Sequence, residues 1–288
     1  MDSKAKSILY VLGCVVLWAL IPVVSKLGQS ELDNHQFLFW SSVVSLITFF
    51  IIILPKKKIK DFTELTPKKW FHAFILGLLG TYLYYIFLYF GYAHAKGIEV
   101  LIIQYCWPIF VILLSIIILK ERINIRKTIS IQLGFLGVFL VLTKGDFSGL
   151  HFDNLFVDGI VLLAAFTFGL FSVLSKKAEI DSIVLVMIYF LTASLASLIS
   201  MISLSEFKIP TNNSIIPIIV NGIFVNGISY IFWIKALKLG DASFVAPFIF
   251  LTPVISAVFL IVFFGEPFQL IYILGMISVI GGGVINCK

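Results

Sequence analysis

Aromatic and polar side chains share narrow helical faces at several places in this otherwise apolar sequence. At 100° per residue, Trp18 falls on the same face as Pro22, and Gln104 falls beside Trp107 and Pro108. Indole and phenol rings stack on flat solutes and attract cations, and an amide both donates and accepts hydrogen bonds. Such faces could bind a small solute, although polar groups also hydrogen-bond between membrane helices without binding anything.

The same kind of face recurs further along the chain, with a run of tyrosines and a second group containing an asparagine and a tryptophan. The residues predicted to bind substrate are Trp18, Tyr82, Tyr85, Gln104, Trp107, Phe168, Asn226, Tyr230 and Trp233. Proline removes a backbone donor and crowds the preceding turn, so a proline within an apolar stretch can create a bending point. The predicted hinges are Pro22, Pro108 and Pro253.

Motifs for other chemistry are missing from the sequence. It contains no His-Glu-x-x-His, no Gly-x-Ser-x-Gly and no paired aspartates within an apolar stretch, and Cys14, Cys106 and Cys287 are widely spaced. We therefore predict no catalytic residue, no metal site and no cofactor. An intramembrane enzyme and a channel remain as rivals from other classes. Bond cleavage by the purified protein would indicate the enzyme, and unsaturable flux without counterflow would indicate the channel.

The elements that position these residues are membrane-spanning helices. The 288 residues are 60% hydrophobic and only 12% charged, with a mean hydropathy of +1.09, so lipid must solvate much of the surface. Ten apolar stretches are long enough to cross about 30 Å of hydrocarbon. Their predicted bounds are 7–27, 36–54, 70–92, 98–119, 125–143, 157–175, 182–204, 214–237, 243–264 and 267–286.

The distribution of positive charge predicts the orientation. All but four of the 21 Lys and Arg residues fall on one side of the ten predicted spans, and the exceptions are Lys26, Lys96, Lys144 and Lys208. Since Lys and Arg concentrate in cytoplasmic loops, both termini are predicted to be cytoplasmic. The net charge of +6 does not indicate nucleic-acid binding, because these residues form short clusters between apolar runs. No nucleic-acid partner is predicted.

The two halves of the chain are related by a repeat. An offset of 150 residues lays the Trp18 to Lys26 segment over the segment from Phe168 to Lys176, and an offset of 145 relates a proline, a glutamate and a glycine. Those residues are Pro108, Glu121 and Gly137 over Pro253, Glu266 and Gly282. Five spans per half place the second half in the membrane upside down. We predict an all-α protein of two inverted repeats, residues 1–146 and 147–288, with substrate bound between them.

At these residues the sequence resembles the drug/metabolite transporter superfamily, in its ten-helix branch with two EamA-type repeats. The matching pieces include Gly91-Tyr-Ala-His-Ala-Lys-Gly97, Lys120-Glu121-Arg122, Leu251-Thr-Pro253 and Gly265-Glu266-Pro267. The segment Gln104-Tyr-Cys-Trp-Pro108 also resembles the aromatic amino acid exporters of that superfamily, which have Asn where this chain has Gln104. The resemblance implies a multi-pass transporter of the cell (inner) membrane that works as an exporter or exchanger.

The nature of the substrate is narrowed by what the predicted spans lack. No Asp or Glu falls in the middle of a span, whereas proton-coupled binding of a bare cation would use a carboxylate there. The sequence thus favours a small neutral or zwitterionic metabolite, and amino acids in particular. A nucleotide-like metabolite such as S-adenosylmethionine is the alternative. The expected partners are this small molecule and the lipid bilayer, and the choice between monomer and homodimer stays open.

Overall fold

The computed structural model describes residues 2–55, 58–148, 150 and 154–287, and within these ranges every regular element is helical. Nine helical segments are long and apolar enough to cross a membrane, and a tenth apolar helix has 17 residues. The ten-helix prediction is confirmed for the described residues. In chain order, spans 1 to 10 are Ser3–Gly28, Asn34–Ile53, Pro67–His94, Gly97–Leu119, Ile125–Thr143, Leu155–Lys177, Ser182–Leu204, Asn212–Leu239, Ala242–Phe264 and Ile271–Cys287.

The spans begin and end within a few residues of the predicted bounds, with two differences that have local causes. Span 1 starts four residues early because the Asp2 carboxylate accepts a hydrogen bond from the Ala5 N–H and caps the helix. Span 10 starts four residues late. Gly265 ends span 9 in the left-handed region, and Pro267 lies in the extended connection that follows.

Spans 1, 4 and 9 are interrupted near their middles. Each resumes as a helix with a predicted hinge proline in its first turn, where the missing proline N–H has no partner to lose. The prolines therefore lie in the first turns of new helices, and their role as hinges stays a prediction. The pieces are Ser3–Trp18 and Ile21–Gly28; Gly97–Gln104 and Trp107–Leu119; and Ala242–Val245, the 3-10 helix Ala246–Phe250 and Leu251–Phe264.

Spans 3 and 8 contain wider, π-helical turns that the sequence did not reveal. The π segments are Leu78–Leu83 and Asn221–Ile228, and they start at equivalent places in the repeat, 143 residues apart. A π turn takes up an extra residue, so side chains beyond it are rotated from the faces that an α-helix would give them. The flanking α-helices are Pro67–Gly77 and Tyr84–His94 in span 3, and Asn212–Val220 and Ser229–Leu239 in span 8.

The packing of the spans follows the repeat. Span 1 packs against span 8, and span 6, its repeat equivalent, packs against span 3, which is the equivalent of span 8. Span 2 also packs against its own equivalent, span 7, and span 5 packs against span 10. The two five-helix repeats thus interleave, and spans 1, 3, 4, 6, 8 and 9 surround the middle of the bundle.

Both ends of the described chain lie on one side of the bundle, where the Lys4 ammonium donates a hydrogen bond of 3.1 Å to the Cys287 carbonyl. This agrees with an even number of spans. The connection between spans 2 and 3 includes the short helix Ile59–Thr63, so it is not wholly irregular. Some of the charged residues used for the orientation lie outside the described residues, namely Lys56, Lys57 and Lys288. His151 also lies outside the described residues.

Candidate substrate cavity

A cavity of about 50 Å³ lies where the interruptions of spans 1, 4 and 9 meet spans 3, 6 and 8. A water molecule needs about 10–15 Å³ of such space, so this cavity holds only a few waters. Six of the predicted binding residues line it, namely Trp18, Tyr85, Gln104, Trp107, Phe168 and Tyr230. Ile21, Tyr84, Tyr105, Ile249 and Thr252 line it as well. None of these side chains carries a charge at neutral pH.

Three pairs of lining residues are equivalent in the internal repeat. In each pair, one residue comes from the first half of the chain and the other from the second half. Because the equivalent residues meet at one cavity, the cavity lies at the interface between the repeats, which is where inverted-repeat carriers bind their substrates. The pairs are Trp18 with Phe168, Gln104 with Ile249, and Trp107 with Thr252.

Trp18 is the centre of the aromatic part of the wall. Its ring centroid lies 5.9 Å from those of Trp107 and Tyr230. The centroids of Phe168 and Trp233 are 6.0 and 5.8 Å away. Most of these contacts are edge-to-face, the arrangement that the ring quadrupoles favour. The result is a packed aromatic wall that presents ring faces and edges to the cavity.

Hydroxyl and amide groups form the polar part of the wall. The Gln104 amide donates a hydrogen bond of 2.6 Å to the Tyr84 hydroxyl, and its oxygen accepts one of 3.4 Å from Tyr92. These contacts hold the amide between spans 3 and 4. Opposite it, the Thr252 hydroxyl is buried and has no hydrogen-bond partner within the described residues.

Three residues predicted to bind substrate do not line the cavity. Trp233 is fully buried behind the wall, where its indole N–H donates to the Ser172 hydroxyl at 3.0 Å. The Asn226 amide lies 3.5 Å from the Ser41 hydroxyl, between spans 8 and 2. Tyr82 is half-buried, outside the wall. Tyr82 and Asn226 belong to the π segments, where a face drawn at 100° per residue no longer applies.

The lining residues that sequence reasoning missed differ in how they could have been found. Ile249 and Thr252 follow from the 145-residue offset applied to Gln104 and Trp107, so the repeat carried a signal for them. Tyr84 carried no such signal, because its inward position depends on the π turn that precedes it. Ile21 and Tyr105 lie at the interruptions of spans 1 and 4, which the sequence indicated only through the following prolines.

On the side of the bundle where both termini lie, Glu121 binds three groups of the other half. Its carboxylate accepts hydrogen bonds of 2.9 Å from the Lys176 ammonium, 2.8 Å from the Ala242 N–H and 2.9 Å from the Ser243 N–H. Burial raises the pKa of Glu121, but these donors outweigh it and lower the pKa to about 2. The carboxylate is therefore charged at neutral pH and ties the end of span 4 to spans 6 and 9.

Glu266, the repeat equivalent of Glu121, lies at the opposite end of the bundle. Its carboxylate oxygens are 3.8 Å from the Lys26 ammonium and 3.8 Å from that of Lys144. These side chains are more exposed than those of the Glu121 pair. The two equivalent glutamates therefore form ion pairs at opposite ends of the bundle.

Comparison with known proteins also divides the chain into two repeats. The EamA-like transporter family matches residues 5–143 and, a second time, residues 155–286. The chain belongs to this family. This EamA-like transporter is therefore a multi-pass protein of the cell (inner) membrane, and its family is named for transporters.

Relatives of this EamA-like transporter carry transporter names. One from Archaeoglobus fulgidus is 31% identical over 265 residues, which cover 89% of each chain, and is named an uncharacterized transporter. A protein of Rickettsia prowazekii named S-adenosylmethionine uptake transporter is 25% identical over 243 residues, 84% of this chain and 77% of that one. A solved protein crystal structure covers 99% of this chain and 98% of its own with a TM-score of 0.88 at 17% identity, which shows the shared fold.

Proposed function

We propose that this membrane transporter is a secondary carrier of small neutral or zwitterionic metabolites, and of amino acids in particular, which it exports or exchanges by alternating access. The observation that carries the proposal is the cavity between the repeats, whose wall is aromatic and polar but uncharged. Aromatic faces attract an ammonium group or stack on a ring, and hydroxyl and amide groups hydrogen-bond the rest of an amino acid.

The size of the cavity supports a carrier rather than a channel. At about 50 Å³ it is far smaller than the 300–1,000 Å³ that is common for ligand sites, so a solute enters only after the spans separate. In our proposal, residues 1–146 and residues 147–288 move against each other. The spans bend at the interruptions that precede Pro22, Pro108 and Pro253, and expose the cavity to one side at a time.

Counterflow in proteoliposomes tests this function. Vesicles loaded with unlabelled L-tryptophan are diluted into trace radiolabelled L-tryptophan, and a carrier accumulates the label transiently and saturably. Unsaturable flux without counterflow would indicate a channel instead. Trp107→Ala and Tyr230→Ala are expected to abolish the accumulation, whereas Trp40→Ala, at the periphery of the bundle against Phe207, leaves it intact. Unchanged accumulation in both cavity variants would contradict the assignment of the site.

S-adenosylmethionine is the second candidate substrate. It is favoured by the name of the Rickettsia prowazekii relative and by the aromatic wall, since a sulfonium cation is attracted to tryptophan faces. The cavity wall lacks a basic side chain, which favours amino acids. Counterflow with labelled S-adenosylmethionine in the same vesicles distinguishes the two substrates.

A further inference from the structure

Thr252 has a buried hydroxyl that the fold leaves without a partner. The residue is 5% exposed, it lines the cavity, and its Oγ1 makes no hydrogen bond within the described residues. An unsatisfied buried hydroxyl is costly, so such a group in the wall of a cavity is suited to hydrogen-bond a ligand.

Ser42 and Ser130 also have unpartnered buried hydroxyls but do not line the cavity, and the other helical threonines differ from Thr252. Thr81 and Thr192 donate to carbonyl oxygens four residues earlier in their own helices, at 2.6 and 2.9 Å. Thr48, Thr143 and Thr167 bond to preceding turns in the same way. Thr252 does not, and its hydroxyl is therefore available to a molecule in the cavity.

The repeat places a second donor next to this hydroxyl. Trp107, the equivalent of Thr252, lines the same cavity. The indole N–H groups of Trp40 and Trp233 donate to protein acceptors, whereas Trp107 lies in the cavity wall. An indole N–H can only donate. The two equivalent positions thus offer donors to one acceptor.

We propose that Thr252, together with Trp107, binds the carboxylate of an amino acid substrate, an inference that rests on the proposed function. The hydroxyl and the indole N–H donate to the two carboxylate oxygens, while the aromatic wall around Trp18 contacts the rest of the solute. The carboxylate is a better acceptor than any other group of an amino acid, and bonds to a charged acceptor are the stronger ones. Thr252 is then a specificity residue that separates amino acids from amines.

The test uses two probes that differ in the carboxylate, L-phenylalanine and phenethylamine, with dissociation constants measured on the purified full-length protein. Thr252→Val keeps the shape of the side chain but loses the hydroxyl. It is expected to raise the dissociation constant of L-phenylalanine about tenfold and to leave that of phenethylamine unchanged. Thr252→Ser is expected to stay within about twofold of the wild type. Thr192→Val is the matched control, because its hydroxyl is bonded within its own helix.

Unchanged affinity of Thr252→Val for L-phenylalanine would overturn the proposal, as would an equal loss for both probes. If Thr252→Val does not fold, Thr252→Ala takes its place, and the same changes in affinity for L-phenylalanine and phenethylamine are expected. Failure of the wild type to bind or transport any amino acid would overturn the proposed function itself. The wild type is measured before any variant, so this outcome is distinguished from a failure of the Thr252 proposal.

A second, independent inference concerns the two ion pairs at the ends of the bundle. Lys26 and Lys176 are equivalent at the 150-residue offset, and Glu266 and Glu121 are equivalent at 145. Each pair joins the two halves of the chain. The Lys176–Glu121 pair is at 2.9 Å with side chains 20% and 8% exposed, whereas the Lys26–Glu266 pair is at 3.8 Å with side chains 56% and 31% exposed. The Lys176–Glu121 pair is therefore short and largely buried, whereas the equivalent Lys26–Glu266 pair is longer and more exposed.

We infer that the two pairs are reciprocal gates, one closing each end of the carrier. In the conformation described here, Lys176 and Glu121 close the end that contains both termini, and Lys176 also donates to the Gly240 carbonyl at 2.7 Å. In the opposite conformation the Lys26–Glu266 pair tightens as the Lys176–Glu121 pair separates. Inverted repeats exchange roles in alternating access, so equivalent contacts are expected to form alternately.

The test measures accessibility, so it does not depend on knowing the substrate. Tyr105→Cys places a thiol in the cavity wall, in a protein whose native cysteines are replaced by serine, and an impermeant maleimide is added from either side of oriented vesicles. Glu121→Gln is expected to raise labelling from the side of the termini severalfold, because the ion pair with Lys176 is lost and the single amide oxygen replaces two oxygens that accept from the Ala242 and Ser243 N–H groups. Glu266→Gln is expected to leave that labelling unchanged or lower it.

Lys176→Gln, which removes the charge from the other side of the same ion pair and leaves the Ala242 and Ser243 hydrogen bonds to Glu121 in place, is expected to raise the same labelling. Equal effects of Glu121→Gln and Glu266→Gln on labelling from the side of the termini would overturn the inference. So would an unchanged labelling ratio in Glu121→Gln.

Discussion

The amide nitrogen of Gln104 lies 2.6 Å from the hydroxyl oxygen of Tyr84, and this hydrogen bond joins the interruption of span 4 to the helix that follows the π turn of span 3. The Tyr84 ring in turn lies 4.8 Å from that of Phe168. The bond thus connects a polar group that sequence reasoning selected with an aromatic ring that it missed, and it orients both toward the cavity.

Removal of this hydrogen bond is expected to impair transport in a coupled way. Tyr84→Phe and Gln104→Leu should each raise the KM for L-tryptophan several-fold, because each leaves the other group without its partner. The free-energy loss of the double variant should be smaller than the sum of the two single losses. The difference, which is the coupling energy of the double-mutant cycle, should be roughly 0.5–1.5 kcal/mol. Tyr89→Phe is the control from the same helix. Additive effects of the two changes would show that the bond does not matter.

Trp18 is expected to be essential for both the packing of the cavity wall and transport. Trp18→Ala removes the ring that contacts four other aromatic rings, and large-to-small changes at buried aromatics typically cost about 3–5 kcal/mol in soluble proteins. The expected result is a lower Tm in detergent and no counterflow. Trp18→Phe, which supplies the ring type of its equivalent Phe168, should retain most of the stability. A Tm of the alanine variant equal to that of the wild type would contradict this role.

The contact between spans 5 and 10 should distinguish two neighbouring glycines. A methyl group on Gly282 would lie 2.8 Å from the Ser130 carbonyl oxygen, so Gly282→Ala must push the helices apart and is expected to cost about 1–3 kcal/mol. Gly281 has no atom within 4 Å of the same position, so Gly281→Ala should be neutral or stabilise by about 0.5–1 kcal/mol. Thermal unfolding of both variants measures the difference, and equal losses would show that the close contact is not required.

The pH dependence of stability should report the buried carboxylate of Glu121. Its pKa in the folded protein is about 2, below the ordinary value of 4.5, so the carboxylate stabilises the fold fully above pH 4.5. That contribution is lost as the pH falls from 4.5 toward 2. The Tm of the wild type should therefore fall more steeply over this range than that of Glu121→Gln. Parallel curves for the two proteins would show that Glu121 does not contribute.

Much of the architecture could be predicted from the sequence because membranes impose a simple rule. A helix that crosses lipid must be apolar for its whole length, so hydropathy alone revealed ten spans. The repeat was visible because residues such as Pro108 and Pro253 recur at one offset. The helical face of an uninterrupted stretch was also reliable. Phe168, in the uninterrupted span 6, lines the cavity, and so does its equivalent Trp18 at the end of the first piece of span 1.

The faces of spans 3 and 8 could not be predicted, because the π turns change the number of residues per turn without any signal in hydropathy. Tyr84 lines the cavity while Tyr82 does not, although the pattern selected Tyr82. Asn226 lies in the π segment of span 8 and contacts Ser41. In both spans, the register set by packing against neighbouring helices decided the outcome.

The number of spans, the two-fold repeat and the aromatic, uncharged character of the centre follow from the amino-acid sequence, since each depends on residue type and spacing along one chain. The Gln104–Tyr84 hydrogen bond, the lack of a partner for Thr252 among the described residues and the difference between the Lys176–Glu121 and Lys26–Glu266 distances follow from tertiary packing. Those relations join residues from different spans, and their distances depend on how the two halves pack in one conformation.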